Sequence, residues 1–269
     1  MTPPGFEWIC EIEPPTEPDL THVRHQIGVL SKVASAYLVP DNHVGRATVS
    51  SLAVAHEVDA MGGRSIACLN ARDRNALGFR RDLLTGAAYG VDEFLLVYGD
   101  EPVSGGRTGQ LTVRTMIEQL RRFSDEHRSR AGGFKAGVTT RLRPLPGWKR
   151  EADFLFIQVS FDLEGLLAWR DTVEFDGKVY AGVMVLPSAS MARSLVTNIP
   201  EIAVPPAWLH ALERDRSAGV ELACALALSI AESGAFEGVH LIPGVRYRET
   251  AARLEKDPFA SPHSRHPRS

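Results

Sequence analysis

Residues 65–102 read SIACLNARDRNALGFRRDLLTGAAYGVDEFLLVYGDEP. The run 65–69 is short and apolar, as a strand buried on both faces should be. An amphipathic helix pattern follows over 75–89 and stops at Gly90, a residue suited to helix ends. A second apolar run, 93–97, then empties into Tyr98-Gly99-Asp100-Glu101-Pro102. This is one strand-helix-strand unit, and the same alternation extends in both directions. Further strand-like runs occupy 8–12, 33–39, 134–138, 154–159, 179–186 and 239–242. Helix patterns cover 20–31 (with Asp19 as a candidate N-cap), 50–61, 112–127, 163–172, 191–198, 206–216 and 220–233. Eight strands alternating with helices predict an α/β chain folded as a single (β/α)8 TIM-type barrel. An open doubly wound sheet is the rival, but eight strands in 269 residues fit closure, for which about 250 residues suffice. Residues 139–153 contain Pro144, Pro146 and Gly147, so the helix after strand five is shortened. The barrel is expected over 1–254, with a disordered Pro-, His- and Arg-rich tail over 255–269.

Composition narrows the function classes. A net charge of -3 and a pI near 6.3 lack the basic surplus of a nucleic-acid binder. No apolar run reaches the roughly 20 residues that span a bilayer, and residues 1–8 lack a signal-peptide pattern. Three scattered cysteines, Cys10, Cys68 and Cys224, fit reduced thiols in a cytoplasm.

In this fold chemistry sits where strands run out into loops. Strand one ends in Cys10-Glu11-Ile12-Glu13-Pro14-Pro15. Glu11 and Glu13 share a face by strand periodicity. Either is a candidate general acid or a solvated rim charge, and Glu11 is the better catalytic candidate. Asp41-Asn42 after strand two suits a ligand loop or a plain turn equally. Strand three leads into Asn70, and Asp73 is placed to cap the next helix. Gly99 permits close backbone approach beside Asp100, the second catalytic candidate, with Tyr98 before it. Gln158 lies inside the apolar run 154–159 and must find partners for its amide, a ligand being one candidate. His240, in strand eight, is a core residue or a ligand contact.

Other chemistries lack their residues. The nine histidines show no metal-binding spacing, so no protein-held metal is expected. No G-x-S-x-G nucleophile elbow occurs. Lys135 and Lys178 begin strands, the wrong end for a Schiff base. The stretch Ser104-Gly105-Gly106-Arg107-Thr108-Gly109 is Gly-rich but lacks the P-loop lysine.

Taken in order, the strand ends resemble methylenetetrahydrofolate reductase. The motifs are Glu11 followed by Pro14-Pro15, Gly99-Asp100-Glu101-Pro102, Gln158 with Phe161-Asp162, Val204-Pro205-Pro206-Ala207-Trp208, and Gly238-Val239-His240. They run in family order from residue 11 to 240. The resemblance implies NAD(P)H-dependent reduction of 5,10-methylenetetrahydrofolate to 5-methyltetrahydrofolate. It gives Glu11 the role of acid in opening the bridged ring. Asp100 and Gln158 fall on positions that hydrogen-bond the pterin, with Tyr98, Asn70 and His240 also on the substrate side.

The departures lie on the flavin side. Cys68 stands where the family has a flavin-contacting His, and Tyr98 where it has Arg; apart from these, Ile157 precedes Gln158 where the family usually has Thr. The segment Thr139-Thr140-Arg141-Leu142-Arg143-Pro144-Leu145 replaces another family motif, and the next helix, which meets the flavin phosphates, is broken. The expectation is a member without FAD, in which NADH or NADPH gives hydride directly to the folate iminium. Arg141, Arg143 and Lys149 are candidates for the dinucleotide phosphates. A diverged FAD enzyme, a folate-binding methyl-transfer barrel and a non-catalytic barrel are the alternatives. Choice of nicotinamide and oligomeric state stay open.

Overall fold

A computed structural model describes residues 5–101, 103, 106–127, 133–199 and 201–257. Eight parallel strands close into a barrel in sequence order: β1 (Glu7–Glu11), β2 (Ala36–Val39), β3 (Ser65–Asn70), β4 (Glu93–Val97), β5 (Lys135–Thr140), β6 (Phe154–Ile157), β7 (Lys178–Met184) and β8 (Gly238–Ile242). β8 pairs with β1, with Ile9 opposite His240. The helices are α1 (Thr21–Leu30), α2 (Ser51–Ala60), α3 (Ala76–Tyr89), α4 (Val113–Glu126), α5 (Leu163–Thr172), α6 (Ala189–Asn198), α7 (Pro206–Arg214), α8 (Ala218–Ser233) and α9 (Tyr247–Leu254). After β5 there is only a 3-10 turn, Gly147–Glu151, as the prolines dictate.

Several details differ from the sequence reading. β2 starts at Ala36 rather than 33, and β6 ends at Ile157, so Gln158 lies just beyond its strand. Asp73 does not cap α3. Asn75 does, its side chain accepting from Gly78 N at 2.8 Å, because Asp73 is held by Arg72 instead. Asp19 sits one place before the N-cap Leu20 and accepts from Thr21 N at 2.8 Å. α9 lies outside the helix patterns of the sequence. It packs between α1 and α8. Gly90 ends α3 at φ 88°, a left-handed position that side chains disfavour. Within the expected tail, Glu255 pairs with Lys32 at 3.1 Å, while residues 258–269 lie outside the described residues.

Two apolar clusters follow from strand alternation. One fills the layer between barrel and helices. The other fills the lumen with Ile9, Leu38, Ile66, Cys68, Leu95, Phe154, Phe156 and Tyr180. Phe156 and Tyr180 have ring centroids 4.9 Å apart. The Phe154 ring takes the space a Cβ at Gly137 would need.

Below this plug, the N-terminal end is lined by charge. Arg64 donates to Glu7 and Glu93, both at 2.6 Å. Lys135 pairs with Glu93 and Lys178 with Glu7, each at 2.9 Å. Burial works to raise the Glu7 carboxyl, but Arg64, the Tyr180 hydroxyl and Lys178 hold it below its ordinary value. Both lysines therefore serve the barrel base. No described helix is long and apolar enough to cross a membrane.

Candidate active site

The sequence-selected residues meet at the C-terminal mouth in three groups. The first spans the β1–β8 seam. Glu11 and Ile9 alternate on the lumen face of β1, and His240 lies opposite Ile9 on β8. His240 Nε2 is 3.1 Å from Glu11 Oε2, both side chains 9% exposed. The Phe156 ring meets His240 edge-on with centroids 5.1 Å apart. Glu13, two residues beyond the strand end, is exposed. Cys68 lies nearby inside the lumen. Burial pushes its thiol well up, and the Glu11 and Asp41 carboxylates push it further.

The second group stitches the ends of β2, β3 and β4. Asn70 is fully buried. Its Nδ2 donates to Asp41 Oδ2 at 2.6 Å, and its Oδ1 accepts from Asp73 N at 2.9 Å. The amide expected to face substrate thus holds the protein together. Asp41 also pairs with Arg74, and Arg74 with Asp82 at 2.8 Å. Arg72 grips Asp73 through Nε and one Nη, both at 2.5 Å. Its other Nη is buried without a partner among the described residues. Arg72 and Asp41 were not singled out as a unit by sequence. The one available signal was the alternating charge of Arg72-Asp73-Arg74 directly after a strand.

Gly99 roofs this group at φ 98°, and a Cβ there would sit 3.0 Å from Asn70 Cβ. Asp100 beside it is exposed and accepts from Val44 N at 2.9 Å. No contact joins Asp100 to Glu11 among the described residues. Val44 itself has φ 55°, unusual for a β-branched residue. Tyr98 is 47% exposed, with the Arg107 guanidinium 5.7 Å from its ring centre. Thr108 N donates to Arg72 O at 3.0 Å, tying the Gly-rich loop to the β3 end.

The third group lies at the ends of β5 and β6. Arg141 Nε donates to Gln158 Oε1 at 3.1 Å and its Nη1 to Glu201 at 2.7 Å. These residues, with Arg143 and Asp162, line a cavity of about 470 Å³. Lys149 lies behind it, donating to Thr139 O at 2.6 Å. Burial lowers the Lys149 amine, and the neighbouring Arg143 and Arg141 lower it further. Two of the resemblance motifs also pack together, the Phe161 and Trp208 rings lying 4.9 Å apart. Among the described residues no group of three or more His, Cys, Asp or Glu side chains is disposed to hold a metal.

No protein-family model matches the chain, and no curated protein matches it in sequence. Solved structures match its fold. One is an uncharacterized protein from Clostridium thermocellum that binds two copies of 5-methyl-5,6,7,8-tetrahydrofolic acid. It has TM-score 0.63 and 13% identity, over 94% of this chain and 95% of that one. Another is the spore cortex-lytic enzyme SleL of Bacillus cereus, with TM-score 0.52 and 11% identity, over 92% of this chain and 73% of that one. At these identities the likeness is one of fold: the chain is a TIM barrel similar in architecture to a folate-binding protein and to a spore cortex-lytic enzyme.

Proposed function

We propose that this protein reduces 5,10-methylenetetrahydrofolate to 5-methyltetrahydrofolate with NADH or NADPH, by direct hydride transfer and without FAD. The observation that carries this reading is the buried Glu11–His240 pair at the mouth. Ring opening needs a proton on N10. As the N10–methylene bond breaks, its electron pair stays on N10 and an N5-iminium cation forms. Hydride from the dihydronicotinamide then adds to the methylene carbon, and oxidised nicotinamide leaves. Glu11 is the acid, with His240 one hydrogen bond away to hold or return the proton. Asp100 is a carboxylate that can stabilise positive charge on the opened folate, and Gln158 and Tyr98 hold the pterin.

Binding of 5-methyltetrahydrofolate by the Clostridium thermocellum protein of like fold supports a folate ligand. Flavin fits the residues poorly. Cys68 is enclosed in the apolar lumen, and the single 3-10 turn after β5 offers no full helix to the flavin phosphates.

The test is one spectrophotometric experiment on purified protein. The visible spectrum is recorded, and NADH or NADPH absorbance is followed with methylenetetrahydrofolate and no added flavin. Turnover by colourless protein supports both parts of the proposal. Turnover only with FAD removes the flavin-free part. No turnover under any condition favours a folate-binding role in methyl transfer.

A further inference from the structure

The cavity beside β5 and β6 holds its cations in two different states. Arg141 is engaged, by Gln158 at 3.1 Å and by Glu201 at 2.7 Å. The Arg143 guanidinium has no hydrogen-bond or ion-pair partner among the described residues. Its backbone is nevertheless fixed. Arg143 N donates to Arg141 O at 2.8 Å, and Arg143 O accepts from Trp169 Nε1 at 2.8 Å. The backbone that carries this cation is held, while its exposed side chain is left free to reach an anion at the cavity.

The Arg141–Glu201 pair is a weak lock. Its side chains are 44% and 52% exposed, and exposed pairs contribute little. The other carboxylate at the cavity, Asp162, is turned back over Gly165 at the start of α5. Behind the two arginines the Lys149 amine is held below its ordinary value by burial and by both guanidinium groups. Burial is the larger cause, and the two guanidinium groups add to it, so three cations crowd this side of the cavity.

We infer that this cavity binds an oxyanion of a substrate on Arg141 and Arg143, and that Glu201 is a built-in competitor which the oxyanion displaces. The inference rests on the reading that folate and a dinucleotide meet at this mouth. Both carry the required chemistry: the dinucleotide in its pyrophosphate, the folate in its glutamyl carboxylates. Glu201 gives the empty site a counter-charge, so that Arg141 stays ordered beside Gln158 and binding exchanges one carboxylate for another oxyanion.

Inorganic pyrophosphate is the probe, titrated calorimetrically into the full chain at low salt. Wild-type protein binds it. Glu201→Gln binds it about three- to tenfold more tightly, the range set by loss of an exposed ion pair and of like-charge repulsion. Arg143→Gln binds it more weakly. Glu174→Gln removes an equal charge outside the cavity and leaves the affinity unchanged. Pyrophosphate failing to bind, or Glu201→Gln behaving like Glu174→Gln, overturns the inference. Steady-state kinetics of Glu201→Gln then identifies the source. A lower KM for the nicotinamide alone assigns the dinucleotide phosphates; a lower KM for the folate, larger with added glutamyl residues, assigns the folate tail. Because the titration needs no turnover, it is decided separately from the reductase reading.

Discussion

His240 Nε2 lies 3.1 Å from Glu11 Oε2 across the seam where β8 closes on β1. The pair exists because the barrel closes, since 229 residues separate its members. If Glu11 is the acid, Glu11→Gln lowers kcat by about 10²–10⁴ while the thermal midpoint changes little. His240→Ala lowers kcat by less, and the double variant is no slower than Glu11→Gln alone, because the two act as one unit. Stopped-flow single turnovers of the four proteins read this out. Additive losses would show that they act independently.

Gly99 is the point where backbone conformation and packing meet. Its φ of 98° and the 3.0 Å approach of Asn70 Cβ leave no place for a side chain. Gly99→Ala is expected to cost about 1–3 kcal/mol, and to move Asp100 relative to Val44. Urea denaturation measures the first effect. Stability equal to wild type would mean that the β4 end relaxes freely.

Asp73 links acid stability to the β3 end. Hydrogen bonds from Arg72 outweigh burial, and with Asn42 they hold its carboxyl down at about 2. Its ordinary value is 3.8, so the unfolded chain takes up the proton first as pH falls. The stabilisation is complete above about pH 5 and is lost progressively as pH falls to about 2, amounting to about 2 kcal/mol. Asp73→Asn should therefore be less stable than wild type at pH 7, and the gap should close near pH 2. A gap that persists at pH 2 would mean that shape, not charge, sets the contribution.

All three thiols are buried. Burial pushes Cys10 and Cys224 up to about 12, and Cys68 is pushed well above its ordinary value. Thiolate is the reactive form, so Ellman's reagent at pH 8 should label none in the native protein and three after unfolding. Rapid native labelling of one thiol would reveal a lumen that opens.

The barrel was legible because its strands are short apolar runs separated by residues that stop helices. Gln158, Glu11 and His240 stood out as polar groups on or beside apolar strands. Long-range partnerships were less accessible. Glu201 reaches Arg141 across 60 residues, and nothing in its neighbours announces that contact. Asn70 looked available for a ligand because sequence cannot show that Asp41 and Asp73 take its amide. The α3 cap was misplaced because two good capping residues, Asp73 and Asn75, lie within one turn, and Arg72 claims the first. α9 escaped notice because its sequence, YRETAARL, is mostly polar outside the few positions that pack on α1 and α8.

The rings of Phe154, Phe156 and Tyr180 pack the lumen below the mouth. If Glu11 is the acid of the proposed reaction, the mouth that admits the ligands is also the side from which its proton is resupplied. Recharging the acid and releasing the product would then share one route, and each turnover would be tied to the opening of a single entrance.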